Sequence, residues 1–222
     1  MQLITGKNKK SEVLSKMIKN LVFDLGNVLV EFRPEEYMKR LGIRDINVLT
    51  KTIFKDKRWN EFDRGTLTIQ EYVSALKSEN PDYAESIDRI FCDDWANKLF
   101  RPKQATGNFL QELSKQYDVF VLSNVSEYVL NYIRTLDFFR FVTGGTYSYM
   151  LKACKPEKRI YTSFLQDHSL NAEECLFLDD LPQNIIIARE LGMHGIVFKD
   201  NFEEIRDFLK MHASNQVYQS EP

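Results

Sequence analysis

Between residues 102 and 198, short runs of apolar residues alternate with stretches of helical periodicity. The apolar runs cover residues 119–122, 175–178 and 195–198, and a shorter run at residues 141–143 predicts one further strand. Residues that are apolar at consecutive positions are typical of a strand buried on both faces. Alternation of such strands with helices predicts an α/β fold, a Rossmann-like parallel sheet with helices on both faces.

Another strand is predicted at residues 21–23, ahead of a long segment that carries only helical patterns, residues 34–100. Within it, Thr68 and Glu71 form a capping box, and Pro81 is suited to the start of a second helix. The segment therefore predicts a small helical bundle inserted after the first strand. The predicted core comprises residues 20–33 and 101–215, and residues 1–19 form an N-terminal extension of helical character.

The charge balance and the cysteine spacing argue against several classes of protein. The chain has 30 basic and 32 acidic residues, a net charge of −2, without the basic excess of a nucleic-acid binder. No apolar run is long enough to span a membrane, and the N-terminal residues lack the apolar region of a secretory signal. Three scattered cysteines support neither a zinc site nor a disulfide framework. We expect a cytoplasmic protein that binds neither nucleic acid nor membranes.

Polar residues gather directly after the predicted strands. In parallel sheets of this kind, ligands bind beyond the carboxyl ends of the strands. A lysine followed by proline also opens the helix that we predict from Pro156. The residues concerned are Asp24 after the first strand, Ser123 and Asn124 after the second, Lys155 before its proline, and Asp179 and Asp180 after the strand at 175–178. We expect these side chains to meet at one edge of the sheet.

This set of residues has the chemistry that phosphoryl transfer requires. Asp24 can attack phosphorus and form an aspartyl-phosphate. The charged phosphoryl oxygens would repel it, and a divalent cation, a lysine and a hydroxyl donor would offset that repulsion. Because Mg²⁺ prefers oxygen ligands, we predict that Asp24 and Asp180 hold it, with Asp179 bound directly or through water. The predicted phosphate-binding residues are Ser123, Asn124 and Lys155.

Each of these residues also has a purely structural interpretation. The aspartates are common turn formers, and Lys155 by itself would be a solvated surface residue. Ser123 and Asn124 compete with Ser126 for the N-cap of the next helix. The order of the whole set along the chain, with each member after a strand or before a helix, favours a functional site. Asn184 is predicted to cap the helix that follows the late aspartates rather than to support their carboxylates.

Four motifs in this order resemble those of the haloacid dehalogenase-like hydrolase superfamily. They are Phe-Asp-Leu-Gly-Asn-Val-Leu at residues 23–29, Val-Leu-Ser-Asn at 121–124, Lys-Pro at 155–156, and Phe-Leu-Asp-Asp at 177–180. The resemblance covers roughly residues 20–200. It implies a Rossmann-like core, a helical cap at residues 34–100, Mg²⁺ as cofactor and an aspartyl-phosphate on Asp24. The first motif is similar to that of the bacterial glucose-1-phosphate phosphatase branch, which implies a small phosphorylated metabolite, such as a sugar phosphate, as substrate.

Gly26 departs from the pattern of most phosphatases in this superfamily, which carry a second aspartate there as acid–base residue. The resemblance implies that the backbone carbonyl of Gly26 binds Mg²⁺, but it leaves the acid–base step without its usual residue. Removing general acid–base catalysis costs on the order of 10²–10⁴ in rate.

Four interpretations of this departure stay open at the level of the sequence. The substrate's leaving group can be acidic enough to need little protonation, as in a sugar 1-phosphate. A proton can come from water or from Asp63 or Arg64 in the cap. The chain can be a haloacid dehalogenase, which also lacks the second aspartate, or a non-catalytic phosphate-binding or partner-binding protein. Asp63 and Arg64 are otherwise expected to be structural, with Trp59 and Phe62 as cap core; oligomeric state has no signal in the sequence.

Overall fold

The computed structural model describes residues 17–213, so the predicted N-terminal extension lies almost entirely outside the described residues. Two sheets are present in this range, a five-stranded sheet and a two-stranded ribbon. The strands are β1 (Asn20–Phe23), β2 (Val30–Phe32), β3 (Phe100–Pro102), β4 (Asp118–Ser123), β5 (Gly144–Tyr147), β6 (Cys175–Asp179) and β7 (His194–Val197).

The α-helices fall into two groups, one between β2 and β3 and the other after β3. The first group is α1 (Pro34–Arg40), α2 (Ile46–Leu49), α3 (Lys57–Asp63), α4 (Ile69–Glu79), α5 (Ala84–Ile90) and α6 (Trp95–Leu99). The second is α7 (Gln104–Leu113), α8 (Glu127–Ile133), α9 (Ser148–Leu151), α10 (Lys158–Asp167), α11 (Pro182–Glu190) and α12 (Phe202–Ala213).

The larger sheet is parallel throughout and has the strand order β5-β4-β1-β6-β7. Successive residues of β1 point to opposite faces, because side chains alternate along a strand. Leu21 and Phe23 join a hydrophobic cluster that includes residues of α7, α8 and α12, whereas Val22 joins a second cluster with residues of α10 and α11. The predicted α/β architecture, a parallel sheet covered on both faces, is therefore confirmed.

The segment between β2 and β3 is helical, and the antiparallel β2–β3 ribbon connects it to the core. The predicted capping box is present: the Thr68 hydroxyl accepts a hydrogen bond from the Glu71 N–H, and the Glu71 carboxylate accepts one from the Thr68 N–H. Pro81 begins a 3₁₀ turn that leads into α5. We propose that residues 34–100 form a cap domain with the boundaries predicted above.

One predicted strand is wrong, and one two-stranded ribbon was not predicted. Residues 141–143 are not a strand, because Asp137–Phe141 forms a 3₁₀ helix and the edge strand β5 begins only at Gly144. A Cβ atom on Gly145 would lie 2.8 Å from the Val121 carbonyl oxygen, so β5 uses glycine where it approaches β4 and gives no apolar signal. The β2–β3 ribbon was not predicted, since each strand has only three residues.

The helix predicted from Pro156 begins two residues later, at Lys158. The Glu157 N–H donates to the Cys154 carbonyl at 2.8 Å, and the Glu157 carboxylate accepts from the Cys154 N–H at 3.1 Å, which closes a turn over residues 154–157. The Lys155–Pro156 peptide bond inside this turn is cis. Lys155 therefore lies in a turn ahead of the helix. None of the helices within residues 17–213 combines the length and the hydropathy needed to cross a membrane.

Candidate active site

Three neighbouring strands end at one point, because β1 lies between β4 and β6 in the sheet. Asp24 follows β1, Ser123 is the last residue of β4, and Asp179 is the last residue of β6. Lys155 reaches the same point from the turn before α10. The structure thus brings the predicted site residues together at the carboxyl edge of the sheet, and Ser126 rather than Ser123 caps α8.

The buried carboxylate of Asp24 is oriented through one of its oxygens. Its Oδ1 accepts hydrogen bonds from the Leu25 N–H at 2.7 Å and from the Ser123 hydroxyl at 2.7 Å. The same oxygen lies 2.8 Å from the Lys155 ammonium nitrogen. Within residues 17–213, no hydrogen bond to Oδ2 of Asp24 is formed. One oxygen is therefore fixed while the other remains available for bonding to a ligand.

Lys155 is a buried cation shared by two carboxylates. Its Nζ contacts Asp24 and also donates to Oδ2 of Asp179 at 2.6 Å. The side-chain amide of Asn124 holds the backbone of Lys155 from both sides: it accepts from the Lys155 N–H at 2.7 Å and donates to its carbonyl at 2.9 Å. Asn124 thus positions Lys155, and its direct contact with phosphate stays a prediction.

The charged side chains of the site shift one another's pKa values. Burial raises the pKa of Asp24 to about 6; Lys155 opposes that shift and the negative charge of Asp179 adds to it. Burial lowers the pKa of Lys155, but the carboxylates of Asp24 and Asp179 outweigh this and leave it raised. Burial also raises the pKa of Asp180, against a hydrogen bond from Asn27. The site therefore holds a protonated lysine among carboxylates that repel one another.

Asn184 supports Asp179, so the prediction that it caps α11 is wrong. The N-cap position of α11 is Leu181, and the Asn184 amide turns back to donate to both carboxylate oxygens of Asp179 at 2.9 Å. Asp179 also accepts the Leu181 N–H at 2.8 Å and the Lys155 ammonium. A fully buried carboxylate needs this many donors, because an unpaired charge in the interior is costly.

Carboxylate oxygens of Asp24, Asp179 and Asp180 lie within 4.8 Å of one another. Oxygens bound to one octahedral Mg²⁺ at about 2.1 Å lie roughly 3–4 Å apart, so these carboxylates are close enough to bind a single ion directly or through its water ligands. The amide oxygen of Asn184 is buried at the same cavity without a partner among the described residues, as an acceptor for a metal-bound water would be. The donor set and its geometry fit a hard divalent cation.

Asn27 belongs to the first motif, but no role in the site was predicted for its side chain. Its amide donates to Oδ2 of Asp180 at 3.1 Å and accepts from the Phe32 N–H at 3.3 Å. Its φ of 55° lies in the left-handed region that asparagine tolerates. The turn was predictable, but a contact across 153 positions of sequence was not.

Gly26 lies on the cavity, and a Cβ atom there would have nothing within 4 Å. Steric crowding therefore does not account for the missing side chain. Coordination of a cation by the Gly26 carbonyl stays a prediction.

Asp63 and Arg64, the two cap residues considered from sequence, have different surroundings. Asp63 ends α3 and lines the cavity, where its carboxylate accepts a hydrogen bond from the backbone N–H of Ser126. Arg64 is not part of the cavity wall; it pairs with Glu157 at 2.6 Å and donates to the Lys152 carbonyl at 3.2 Å. The structural interpretation thus suits Arg64, whereas Asp63 faces the site.

The cavity beside Asp24 has a volume of about 200 Å³, and much of its wall is apolar. The aromatic part of the wall comes from Phe32, Trp59 and Phe100. Phe62 is buried core, as predicted. Trp59 packs edge-on against Phe62 with ring centroids 5.6 Å apart but also faces the cavity, which the sequence analysis missed. The cavity is therefore lined both by polar groups and by aromatic rings.

A parallel sheet with helices on both faces and polar side chains beyond the carboxyl ends of its strands is the architecture of a doubly wound α/β protein that binds its ligand at that edge. The model of the haloacid dehalogenase-like hydrolase family matches residues 9–198. The chain belongs to this family, as the four motifs indicated.

Two characterised relatives of similar length are phosphatases. The chain is 24% identical over 185 residues to a sesquiterpene phosphatase of Aspergillus oryzae, covering 82% of this chain and 91% of that protein. It is 25% identical over 192 residues to a D-ribitol-5-phosphate phosphatase of Bacteroides thetaiotaomicron, covering 79% and 89%.

Solved structures of the same family share this fold. One is an enzyme of the family from Bacteroides thetaiotaomicron in complex with magnesium and inorganic phosphate, with a TM-score of 0.64, 22% identity and coverage of 83% of this chain and 96% of that one. Another is a 2-haloacid dehalogenase from Pseudomonas syringae pv. tomato, with a TM-score of 0.60, 16% identity and coverage of 88% and 99%. At these identities the likeness concerns the fold alone.

Proposed function

We propose that the protein is a magnesium-dependent phosphatase that hydrolyses a small phosphate monoester through a covalent intermediate on Asp24. The observation that carries this proposal is the Asp24 carboxylate itself. One of its oxygens is held by Leu25, Ser123 and Lys155, and the other is available at a cavity lined by further carboxylates. A carboxylate fixed in this way is suited to in-line attack on phosphorus.

The polar residues around Asp24 would bind the phosphoryl group and the metal ion. Lys155 would donate a hydrogen bond to the phosphoryl oxygens, where negative charge accumulates in the transition state, and Ser123 would do so once its hydroxyl turns from Asp24 to the substrate. Asp24, Asp180 and the Gly26 carbonyl would hold Mg²⁺, with Asp179 acting through water because Lys155, Leu181 and Asn184 already occupy its oxygens. The ion would neutralise phosphoryl charge next to the attacking carboxylate.

The relatives support this reaction class. The two characterised relatives named above are phosphatases that act on chemically different substrates, a sesquiterpene and a sugar alcohol. Their shared feature is the phosphate ester, and the polar groups that line the cavity suit such an ester. We therefore assign a small-molecule phosphate monoester as substrate, with sugar phosphates as the first class to test.

The acidic cluster favours a phosphatase over a dehalogenase. Displacement of halide from carbon needs no cation to offset phosphoryl charge, yet three carboxylates here lie within 4.8 Å of one another. Lys155 compensates two of these carboxylates, and a bound divalent cation would offset the remaining negative charge. A non-catalytic binding protein would have no need for a carboxylate that is held through one oxygen and leaves the other available for attack.

The test compares wild type with Asp24→Asn, and with Asp118→Asn as control at the opposite, exposed end of β4. Phosphate release is measured from p-nitrophenyl phosphate, glucose 1-phosphate, ribitol 5-phosphate and further sugar phosphates, with Mg²⁺ or with EDTA. We expect turnover by wild type and Asp118→Asn with Mg²⁺ only, and a loss of at least about 10³-fold in Asp24→Asn.

Two results would reject the proposal. Wild type could release no phosphate from any of these esters with Mg²⁺ present, or Asp24→Asn could keep most of the activity. Metal-independent release of chloride from 2-chloropropionate, with no phosphate release, would identify a dehalogenase instead.

A further inference from the structure

The reaction proposed above leaves one chemical requirement unassigned. When the P–O ester bond breaks, an alkyl leaving group departs as a strongly basic alkoxide unless it receives a proton. Gly26 has no side chain to supply one. The titratable side chains that line the cavity are Asp24, Asp63, Lys155 and Asp180. In the proposed reaction Asp24 is the nucleophile, Lys155 binds the negatively charged phosphoryl group and Asp180 binds the metal ion. Asp63 is therefore the titratable side chain of the cavity that has no assigned role.

Asp63 is held in place by contacts on both sides of its peptide. Its backbone carbonyl accepts a hydrogen bond from the Ser148 hydroxyl at 2.6 Å. The next residue, Arg64, forms its ion pair with Glu157, and the carbonyl of Gly65 accepts from the Lys152 ammonium at 2.5 Å. These contacts hold the end of α3 against α9 and the turn that follows it. The position of Asp63 is therefore fixed relative to the sheet rather than left to a free loop.

The carboxyl group of Asp63 is also fixed relative to the phosphate-binding residues. It accepts the backbone N–H of Ser126, three residues after Ser123. It is close enough to Asp24 for the two charges to interact. Asp63 thus lines the same cavity as the nucleophile, and it comes from the helical segment rather than from the sheet.

The surroundings of Asp63 favour its protonated form. Within residues 17–213 no lysine, arginine or histidine forms an ion pair with it, since Arg64 pairs with Glu157. Burial raises the pKa of Asp63 well above its usual range; the Ser126 N–H opposes this, and the negative charge of Asp24 adds to it. A carboxyl group whose surroundings favour its protonated form is suited to donating a proton to a leaving group.

We propose that Asp63 is the acid–base residue of the reaction and replaces, from the cap, the aspartate missing at position 26. This inference rests on the proposed function. In the first step Asp24 bonds to phosphorus, the ester P–O bond breaks, and the departing oxygen takes the proton of Asp63. In the second step a water oxygen attacks phosphorus, Asp63 takes a proton from that water, and the bond between phosphorus and Asp24 breaks. Phosphate leaves, and both aspartates return to their starting states.

The experiment uses the dependence of the first step on the leaving group, measured by rapid mixing with Mg²⁺ present. Asp63→Asn keeps an oxygen that can accept the Ser126 N–H but has no acidic proton. Nitrophenolate leaves without protonation, whereas ribitol from ribitol 5-phosphate does not. We expect Asp63→Asn to release nitrophenolate in its first turnover within about threefold of wild type, and to lose about 10²–10⁴-fold in the first turnover of the alkyl ester.

Asp82→Asn, an exposed aspartate in the same helical segment, is the matched control and should leave both rates unchanged. Equal losses for both esters in Asp63→Asn would show a merely structural role, and no loss for the alkyl ester would show no role; either result overturns the inference. An independent measurement uses wild type alone: the rate of the first step is measured for a series of aryl phosphates whose leaving groups increase in pKa. A shallow dependence supports the inference, and a steep one overturns it even if Asp63→Asn fails to fold.

These outcomes are separable from the test of the proposed function. If wild type hydrolyses no ester, or Asp24→Asn remains active, the nucleophile assignment fails before Asp63 is considered. If Asp24→Asn is inactive and Asp63→Asn hydrolyses alkyl esters at the wild-type rate, only the inference about Asp63 fails.

Discussion

Lys155 shows how single residues couple stability to chemistry in this site. Its ammonium group lies 2.8 Å from Asp24 and 2.6 Å from Asp179, and all three groups are buried. Removing one member of a buried ion pair typically costs about 3–5 kcal/mol, because the partner is left uncompensated. The same positive charge that binds a phosphoryl group therefore also stabilises the substrate-free protein.

We predict that Lys155→Met lowers the free energy of unfolding by about 3–5 kcal/mol in metal-free buffer, measured by urea denaturation. Lys158→Met is the control, since Lys158 pairs with Glu190 on the exposed surface and such pairs contribute less than about 1 kcal/mol. Equal effects of the two substitutions would contradict the role assigned to the buried cation.

At the scale of residues, the sequence indicated which side chains meet but not how they divide their roles. Asp24, Ser123, Lys155 and the late aspartates were predictable because each follows a strand or precedes a helix. The pairing of Asn184 with Asp179 was not, because a helix N-terminus offered that asparagine an equally good partner. Whether Asp63 faces the cavity depends on how α3 packs, which no local pattern determines.

Among the elements, the end of α3 depends on Gly65. This residue has φ of +67°, and a Cβ atom on it would lie 2.8 Å from Lys152 Nζ, 3.0 Å from the Tyr149 Cβ and 3.3 Å from the Tyr149 Cα. The lysine end can move, but the backbone of α9 cannot move as easily. Glycine thus permits the close contact between α3 and α9 that places Asp63.

We predict that Gly65→Ala lowers the free energy of unfolding and reduces phosphatase turnover by about 10-fold or more, because small displacements of a catalytic group are costly. Gly42→Ala is a matched control: its φ is +68°, but the nearest atom to its Cβ would be 3.9 Å away, on Arg89. It should show only the backbone strain, about 1–2 kcal/mol, with full activity. Identical effects on turnover would show that the α3–α9 contact does not position the site.

Elements with long apolar runs were predictable from sequence, and short ones were not. β1, β4, β6 and β7 lie within a residue of their predicted positions because each is buried by consecutive apolar residues. β5 begins with two glycines, and the β2–β3 ribbon has strands of three residues. In both cases the residues form strands because of their tertiary contacts rather than because of their local composition.

For the whole molecule, the parallel sheet accounts for both the fold and the grouping of carboxylates. The order β4-β1-β6 brings together residues that are about 100 and 150 positions apart in sequence. The alternation of strands and helices predicted the class of fold, but it did not give the strand order or the side of the sheet that the helical segment covers. A cation bound by the grouped carboxylates should therefore stabilise the whole molecule.

We predict that Mg²⁺ at ten times its dissociation constant stabilises the protein by about 1.4 kcal/mol. For a chain of this size the unfolding midpoint would rise by about 3–6 °C, measured by thermal denaturation at constant ionic strength. Asp180→Asn should lose most of this rise, and Asp118→Asn, far from the site, should keep it. An equal rise in all three proteins would contradict the assigned metal site.

The covalent intermediate on Asp24 is the central claim, and rapid quenching tests it most directly. The protein is mixed with Mg²⁺ and p-nitrophenyl phosphate, quenched within one turnover and treated with borohydride, which reduces an aspartyl-phosphate to homoserine. Peptide mass spectrometry then locates the modified position. We predict homoserine at position 24 in wild type and none in Asp24→Asn. An active wild type with no modification at position 24, or with modification at another aspartate, would contradict the account.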